Sequence, residues 1–507
     1  MNDAGRTVCI VIQNEVTGRI KSILGFATNS ILATVSLFVS VTVFINMKNL
    51  RPGLELYFLV PLVFSVCLIW VNNYFSVAKG GLALKIFFGI MAVRFILVPF
   101  LISVTNGQIN VLPITMPMIN CSSDGYFYSV IMSLIEMVTC FAAIKYYGQR
   151  YQYKFENEDE DYDGYYCNIG LSLVGLLAIL ALTVLLLSRN LKVVFSTFNF
   201  LALDEKFDDP ITDAFGILAA QTLKTFLFLV IITFCKKQYE KGNTLLWTII
   251  GAIFAVVNMG AFFGYNRSFV LQTAIATIFV LYYAFPKYKK IEIAVLVPIC
   301  ITVVVSMIFI KQFGVSYKDA SLTEQLNMAE LSNTIECYVG GPWSLASGYD
   351  AAKSVDFMPF ERITKDFILN FFPSYLPGME WCLSIFKNVL SSPEVHQVYT
   401  RSWQMLPLSS TCLFYGGSVF GVLISIGVYI IIIKILIYCD FRSKYSMDLM
   451  KKYIYTITAV LLSFVMCYTW VTLLWSFSKN MLFLALCIWL NCIQVTRSGK
   501  AHFIYTK

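Results

Sequence analysis

The sequence predicts an all-α integral membrane protein, with about twelve transmembrane helices and one large, partly helical loop on the non-cytoplasmic side. Three observations carry this. First, 58% of the 507 residues are hydrophobic and only 13% are charged, where soluble domains carry roughly 25% charged residues; mean hydropathy is +0.71. Second, apolar runs recur that approach the ~20 residues needed to cross a bilayer. Third, lysine and arginine gather in alternate connections between those runs.

The runs lie near 25–46, 54–75, 82–104, 126–147, 166–187, 214–235, 244–263, 267–285, 291–310, 413–438, 454–475 and 477–495. Arg6, Arg19 and Lys21 precede the first, which ends without a small-residue cleavage site, so it is expected to stay as a signal anchor. With the N-terminus inside, the cytoplasmic segments collect clusters such as Lys236, Lys237 and Lys241, or Lys287, Lys289 and Lys290. The short outer loops hold only Lys48, Arg51, Arg189, Lys192, Lys206, Arg267 and Lys479. The bias is about threefold and predicts both termini in the cytoplasm. Three regions are expected: an N-terminal bundle of about nine helices over 1–310, an outer loop over 311–411, and three C-terminal helices over 412–507.

Composition also excludes functions. No basic run is long enough for a nucleic-acid partner. There is no CxxC, and with two histidines no Cys/His cluster, so no metal or other cofactor is expected. There is no Walker loop for an ATP-driven pump, no HExxH, and no outer-loop DxD or acidic first outer loop of the kind dolichol-sugar transferases use. The acidic run Glu156–Asp161 reads as a solvated cytoplasmic linker.

The 311–411 loop is too long to be a simple connection. Leu322, Leu326, Met328 and Leu331 fall at helical spacing, as do Phe360, Ile363, Phe367 and Ile368. Gly340-Gly341-Pro342, Pro373 and Pro377-Gly378 punctuate it. Its aromatics, Trp343, Tyr349, Phe371, Trp381 and Trp403 among them, suit either the membrane interface or stacking on sugar rings.

Three charges fall mid-span: Arg94, Glu136 and Lys224. A charge at the bilayer centre costs at least ~2.5–3.5 kcal/mol, so each needs a partner or a task. Arg94 and Glu136 lie at matching depth on neighbouring spans, which predicts either a structural ion pair or a polar cavity open to the outer leaflet. Arg267 stands at the tip of the tight turn Gly264-Tyr265-Asn266-Arg267, either as an interfacial anchor or as a bidentate phosphate ligand. Glu394, His396 and Arg401 precede the tenth span, and the small residues from Ser409 to Gly421 would let the chain approach the membrane closely.

This arrangement resembles the Wzy-type O-antigen and capsule repeat-unit polymerases. The resemblance covers nearly the whole chain and is architectural; its local matches are Val93-Arg94-Phe95-Ile96-Leu97-Val98-Pro99, Asn266-Arg267-Ser268, Tyr338-Val339-Gly340-Gly341-Pro342 and Phe414-Tyr415-Gly416-Gly417 with Gly421. It implies a metal-independent glycosyltransferase at the periplasmic face of the bacterial inner membrane. A glycan on undecaprenyl pyrophosphate would be passed to the next lipid-linked repeat unit. Partners would be those lipid-linked glycans, membrane lipid and a chain-length regulator protein. The substrate-binding candidates are Arg267, Arg94, Lys224 and Tyr415; the catalytic candidates are His396, Glu394 and Arg401. Arg94 and Arg267 match places where the family keeps basic residues, whereas His396 has no firm counterpart there. The rival readings are a flippase or transporter of the same lipid-linked units, and a related O-antigen ligase. A flippase would be expected to show two repeated halves, which this sequence lacks.

Overall fold

A computed structural model describes residues 27–72, 81–107, 121–157, 210–242, 245–260, 267–313, 328–354, 358–371, 378–391, 394, 407–446, 448–468, 473–474, 493–495 and 501–503. Helices dominate it: α1 (Ala27–Ile45), α2 (Leu59–Asn72), α3 (Leu82–Val104) and α4 (Ser123–Asn157) come first. Then follow α5 (Pro210–Gly242), α6 (Leu245–Gly260), α7 (Arg267–Ala284) and α8 (Lys289–Phe313). The long segment expected on the outer side contributes α9 (Met328–Tyr338), α10 (Pro342–Lys353), α11 (Pro359–Phe371) and α12 (Met379–Ile385). The last helices are α13 (Leu408–Tyr445) and α14 (Leu449–Ser463), and strands β1 (Ile493–Val495) and β2 (Ala501–Phe503) form a small antiparallel pair.

Among the described residues, four helices are long and apolar enough to cross a membrane: Ala27–Ile45, Leu82–Val104, Ser123–Tyr151 and Val419–Tyr445. The apolar helices Leu59–Val71, Leu245–Met259 and Leu271–Ala284 are shorter. The apolar helices mark the chain as a helical membrane protein, and these four helices of membrane-crossing length are what its structure shows of the expected twelve spans. The expected span 166–187 lies outside the described residues. So does most of 477–495, and its last three residues are not helical: Ile493 and Val495 pair with Phe503 and Ala501 across a ladder, as β-branched residues flanking Gln494 favour. The expected span 454–475 is also shorter at its far end. It begins at Leu449, where the Asp448 side chain accepts from Met450 N, and stops at Ser463 before a 3-10 turn at Val465–Cys467.

Two hydrophobic cores organise the chain. One is built from α1 to α4 with α10 and α13, around Phe64, Phe87, Phe95, Phe141, Trp343 and Tyr429. The other joins α5 to α8 with the start of α14, around Phe228, Leu281, Phe285 and Tyr453. Helix α14 links them, since Leu449 and Tyr453 belong to the second core and Leu461 and Leu462 to the first.

Segments assigned to one side by the charge alternation meet in space. Arg51 reaches Gly107 O and Glu336, and Ser122 and Asp124 reach Asp350 and Lys353. On the other side Asp440 accepts from Ala83 N, and Tyr239 Oη lies 3.3 Å from Lys287 N.

The expected outer loop is built into the bundle rather than resting on it. Gly340 adopts φ +66°, the left-handed region that glycine enters without penalty. Pro342 then opens α10, where its missing N–H costs nothing. Helix α10 packs against α4 and α13 so closely that a Cβ on Gly348 would overlap Ser410 Oγ.

Candidate functional site

The first polar centre lies around Arg94. Residues Val93–Leu97 form a π-helical turn inside α3, with Val98 N bonded to Val93 O. Pro99 explains it: proline has no N–H to offer the preceding turn, and a wider turn accommodates its ring. Arg94 is 2% exposed and Glu136 on α4 is 1% exposed. Arg94 Nη2 donates to Glu136 Oε2 at 2.7 Å, and Nη1 reaches Met466 O at 3.4 Å. Glu136 also accepts from Ser409 Oγ at 3.1 Å and from the Tyr429 hydroxyl. The early end of α14 has a use here, because the unwound 464–468 stretch turns the Met466 carbonyl to Arg94 and the Tyr468 carbonyl to Leu408 N at 2.9 Å.

The second centre joins the connection between α1 and α2 to α9. Arg51 makes a bidentate pair with Glu336, both bonds 2.9 Å, and its Nε donates to Gly107 O at 2.9 Å. Glu336 also accepts from Trp343 N at 2.8 Å. Burial opposes the Arg51 charge, but the adjacent Glu336 carboxylate outweighs it and pushes the guanidinium pKa up. Tyr57 lies within electrostatic range of Arg51, Glu336 and Arg94, so the two centres adjoin.

The third centre is the polar face of α11. Arg362, Lys365 and Asp366 are spaced i, i+3, i+4 and all are buried. Arg362 Nη1 donates to Phe414 O at 3.3 Å, with its guanidinium 4.7 Å from the Phe414 ring centroid. Asp366 accepts from the Tyr415 hydroxyl. Lys365 donates to Val389 O at 2.6 Å and to Glu394 Oε2 at 3.0 Å. Glu394 further accepts from Ser391 N and Oγ. Partial burial raises the Glu394 pKa, yet the Ser391 bonds and Lys365 overcome it and hold the carboxyl below its usual range.

The first and third centres meet on one short segment. Helix α13 is broken at Gly417, whose φ +65° and ψ −157° lie outside helical space. A Cβ on Gly416 would strike the Gly421 backbone, and one on Gly421 would meet Cys412 O at 2.6 Å, so the two arms touch through glycine alone. The first arm, 408–416, carries Ser409 to Glu136, Ser410 to Ser344 O at 2.6 Å, Phe414 to Arg362 and Tyr415 to Asp366.

The sequence candidates separate on this frame. Arg94 and Tyr415 are both engaged by protein partners. Glu394 is an anchor tied to Lys365 and Ser391. Lys224 sits on α5 and Arg267 at the first position of α7. His396 and Arg401 lie outside the described residues; on either side of them Glu394 is bonded to Lys365 and Leu408 N to Tyr468 O. Sequence reading missed Arg51, Glu336, Arg362, Lys365 and Asp366. The last three had a signal, an i, i+3, i+4 polar stripe on a helix whose other face is aromatic. Among the described residues no group of three or more His, Cys, Asp or Glu is placed to hold a metal ion. Comparison with family models, curated proteins and solved structures finds no match for this chain.

Proposed function

We propose that this protein is a glycosyltransferase that polymerises undecaprenyl-pyrophosphate-linked repeat units at the outer face of the bacterial inner membrane. The observation that best supports it is the anchoring of the described residues on either side of 395–406. That segment carries His396 and Arg401, and it runs between Glu394, clamped by Lys365, and Leu408, bonded to Tyr468 O. Anchors of that kind beside helices that can cross a membrane suit an amphiphilic substrate, whose tail stays in lipid while its sugars reach water.

In the reaction, an acceptor hydroxyl attacks the anomeric carbon of the donor glycan. The bond from that carbon to the pyrophosphate oxygen breaks, and undecaprenyl pyrophosphate leaves with the electron pair. Arg267 and Arg401 hold the pyrophosphate, since guanidinium offers it bidentate bonds. His396 takes the acceptor proton. Glu394 suits that task less, because a carboxyl with a depressed pKa is a weak base near neutral pH. Arg94 and Tyr415, both engaged within the protein, shape the frame rather than touch substrate.

The test is the ladder of surface glycan made by cells carrying Arg267→Ala, with protein level measured in parallel. Losing a stabiliser of developing charge costs about 10²–10³ in rate, so single-repeat glycans should replace the ladder, and Arg267→Lys should restore it only in part. A full ladder from Arg267→Ala would remove that residue from the reaction. Loss of single repeats from the outer face would favour the flippase, and unattached full-length polymer would favour the ligase.

A further inference from the structure

Helix α11 is amphipathic in an unusual sense: its charged stripe faces inward and its aromatic stripe faces out. Arg362, Lys365 and Asp366 are buried against Phe414, Val389 and Tyr415. Phe360, Thr364, Phe367 and Phe371 follow at i, i+4, i+7 and i+11 along the other side. Phe360 is 71% exposed, and Phe367 stacks on Phe371 with centroids 4.8 Å apart. Thr364, the hydroxyl on that stripe, donates its proton to Phe360 O at 2.7 Å. On the neighbouring α12, Trp381 is 69% and Ile385 59% exposed, and Ser384 Oγ donates back to Trp381 O.

We propose that α11 lies in the plane of the membrane interface, with its aromatic stripe in lipid, and so seats the outer loop on the bilayer. Continuity with the membrane-crossing surface decides between lipid and a sugar. The Phe360 ring lies 6.3 Å from that of Phe420, at the start of the apolar stretch Val419–Tyr445. There Val419 is 74% and Leu423 59% exposed, so the aromatic stripe extends the exposed apolar face of a helix long and apolar enough to cross a membrane. A sugar platform needs polar groups beside its rings to bind hydroxyls, and here the neighbouring serine and threonine hydroxyls donate their protons to their own helices. An in-plane helix with an apolar face buried ~5–10 Å into the headgroup boundary matches this layout. The consequence is that Lys365, and through it Glu394, keep a fixed height above the hydrocarbon.

Phe360→Trp and Phe367→Trp variants of the full chain, each in nanodiscs of ordinary or dibrominated phosphatidylcholine, test the proposal. The emission that each variant adds to the parent protein is the readout. Both replace exposed aromatics with aromatics, so folding should be preserved. The added emission should fall at least twofold in brominated lipid and change little with acrylamide. Quenching by acrylamide without quenching by bromine would put the stripe in water and overturn the proposal. Insensitivity to both would show it covered by protein and overturn it equally.

Discussion

Glu336→Gln should unlock the outer loop from the bundle. Glu336 is fully buried, pairs with Arg51 through two 2.9 Å bonds, and caps the start of α10 by accepting from Trp343 N at 2.8 Å. An amide cannot balance the buried guanidinium. Breaking a buried pair by removing one partner costs about 3–5 kcal/mol. Replacing both partners by apolar residues is often neutral, although Gly107 O would then lose the Arg51 Nε donor and Trp343 N its Glu336 acceptor, each costing about 1–3 kcal/mol. Glu336→Gln should therefore destabilise by about 3–5 kcal/mol, and Arg51→Met with Glu336→Met by less than the sum of the two single changes. The assay is a double-mutant cycle on reversible unfolding in mixed micelles, with protease sensitivity of residues 328–354 as the local readout. Additive single effects, or singles within about 0.5 kcal/mol of the parent, would refute the view that this pair fixes the loop.

Glu136→Ala should lower protein level sharply, because Arg94, Ser409 and Tyr429 all lose their shared acceptor; an Arg94→Glu, Glu136→Arg swap should recover part of it, as read by immunoblot of membranes. Gly417→Ala should cost about 1–3 kcal/mol from backbone strain alone, since a Cβ there meets nothing within 4 Å, whereas Gly427→Ala, equally open and inside the helix, should be neutral or stabilising; equal melting temperatures for the two would contradict the kink. The Glu394 clamp should depend on pH. Its folded pKa is lowered, so its contribution is present above the ordinary carboxylate pKa and fades as pH falls through the folded value; Glu394→Gln should flatten that acid limb of a stability–pH profile.

How much of this was legible in the sequence depended on how local each signal was. The helix over Phe360–Ile368 was, because aromatic spacing declares it, and it appears as α11. The Arg94–Glu136 pair was also within reach, since antiparallel neighbours place residues of equal depth side by side. Arg51–Glu336 was not: the partners stand 285 residues apart, and each alone reads as an ordinary loop charge. Nor was the end of α14 at Ser463, where no glycine or proline announces a break. Its cause is tertiary, in carbonyls given to Arg94 and Leu408. The tight glycines before Gly421 hinted at close approach, but only the backbone shows that Gly417 folds one arm of α13 against the other. His396 and Arg401 carry the boldest sequence reading, and the structure describes the bonded residues on either side of them, Glu394 and Leu408, rather than the pair themselves.

The most direct test of the central claim is polymerisation by the purified protein alone. The full chain would be reconstituted in liposomes with undecaprenyl-pyrophosphate-linked repeat units extracted from the cells that make them, without metal or nucleotide, and the products resolved on a gel. The account predicts a ladder of lipid-linked oligomers that grows with time and is lost with Arg267→Ala. Repeat units that stay single while the folded protein carries them across the bilayer would contradict it.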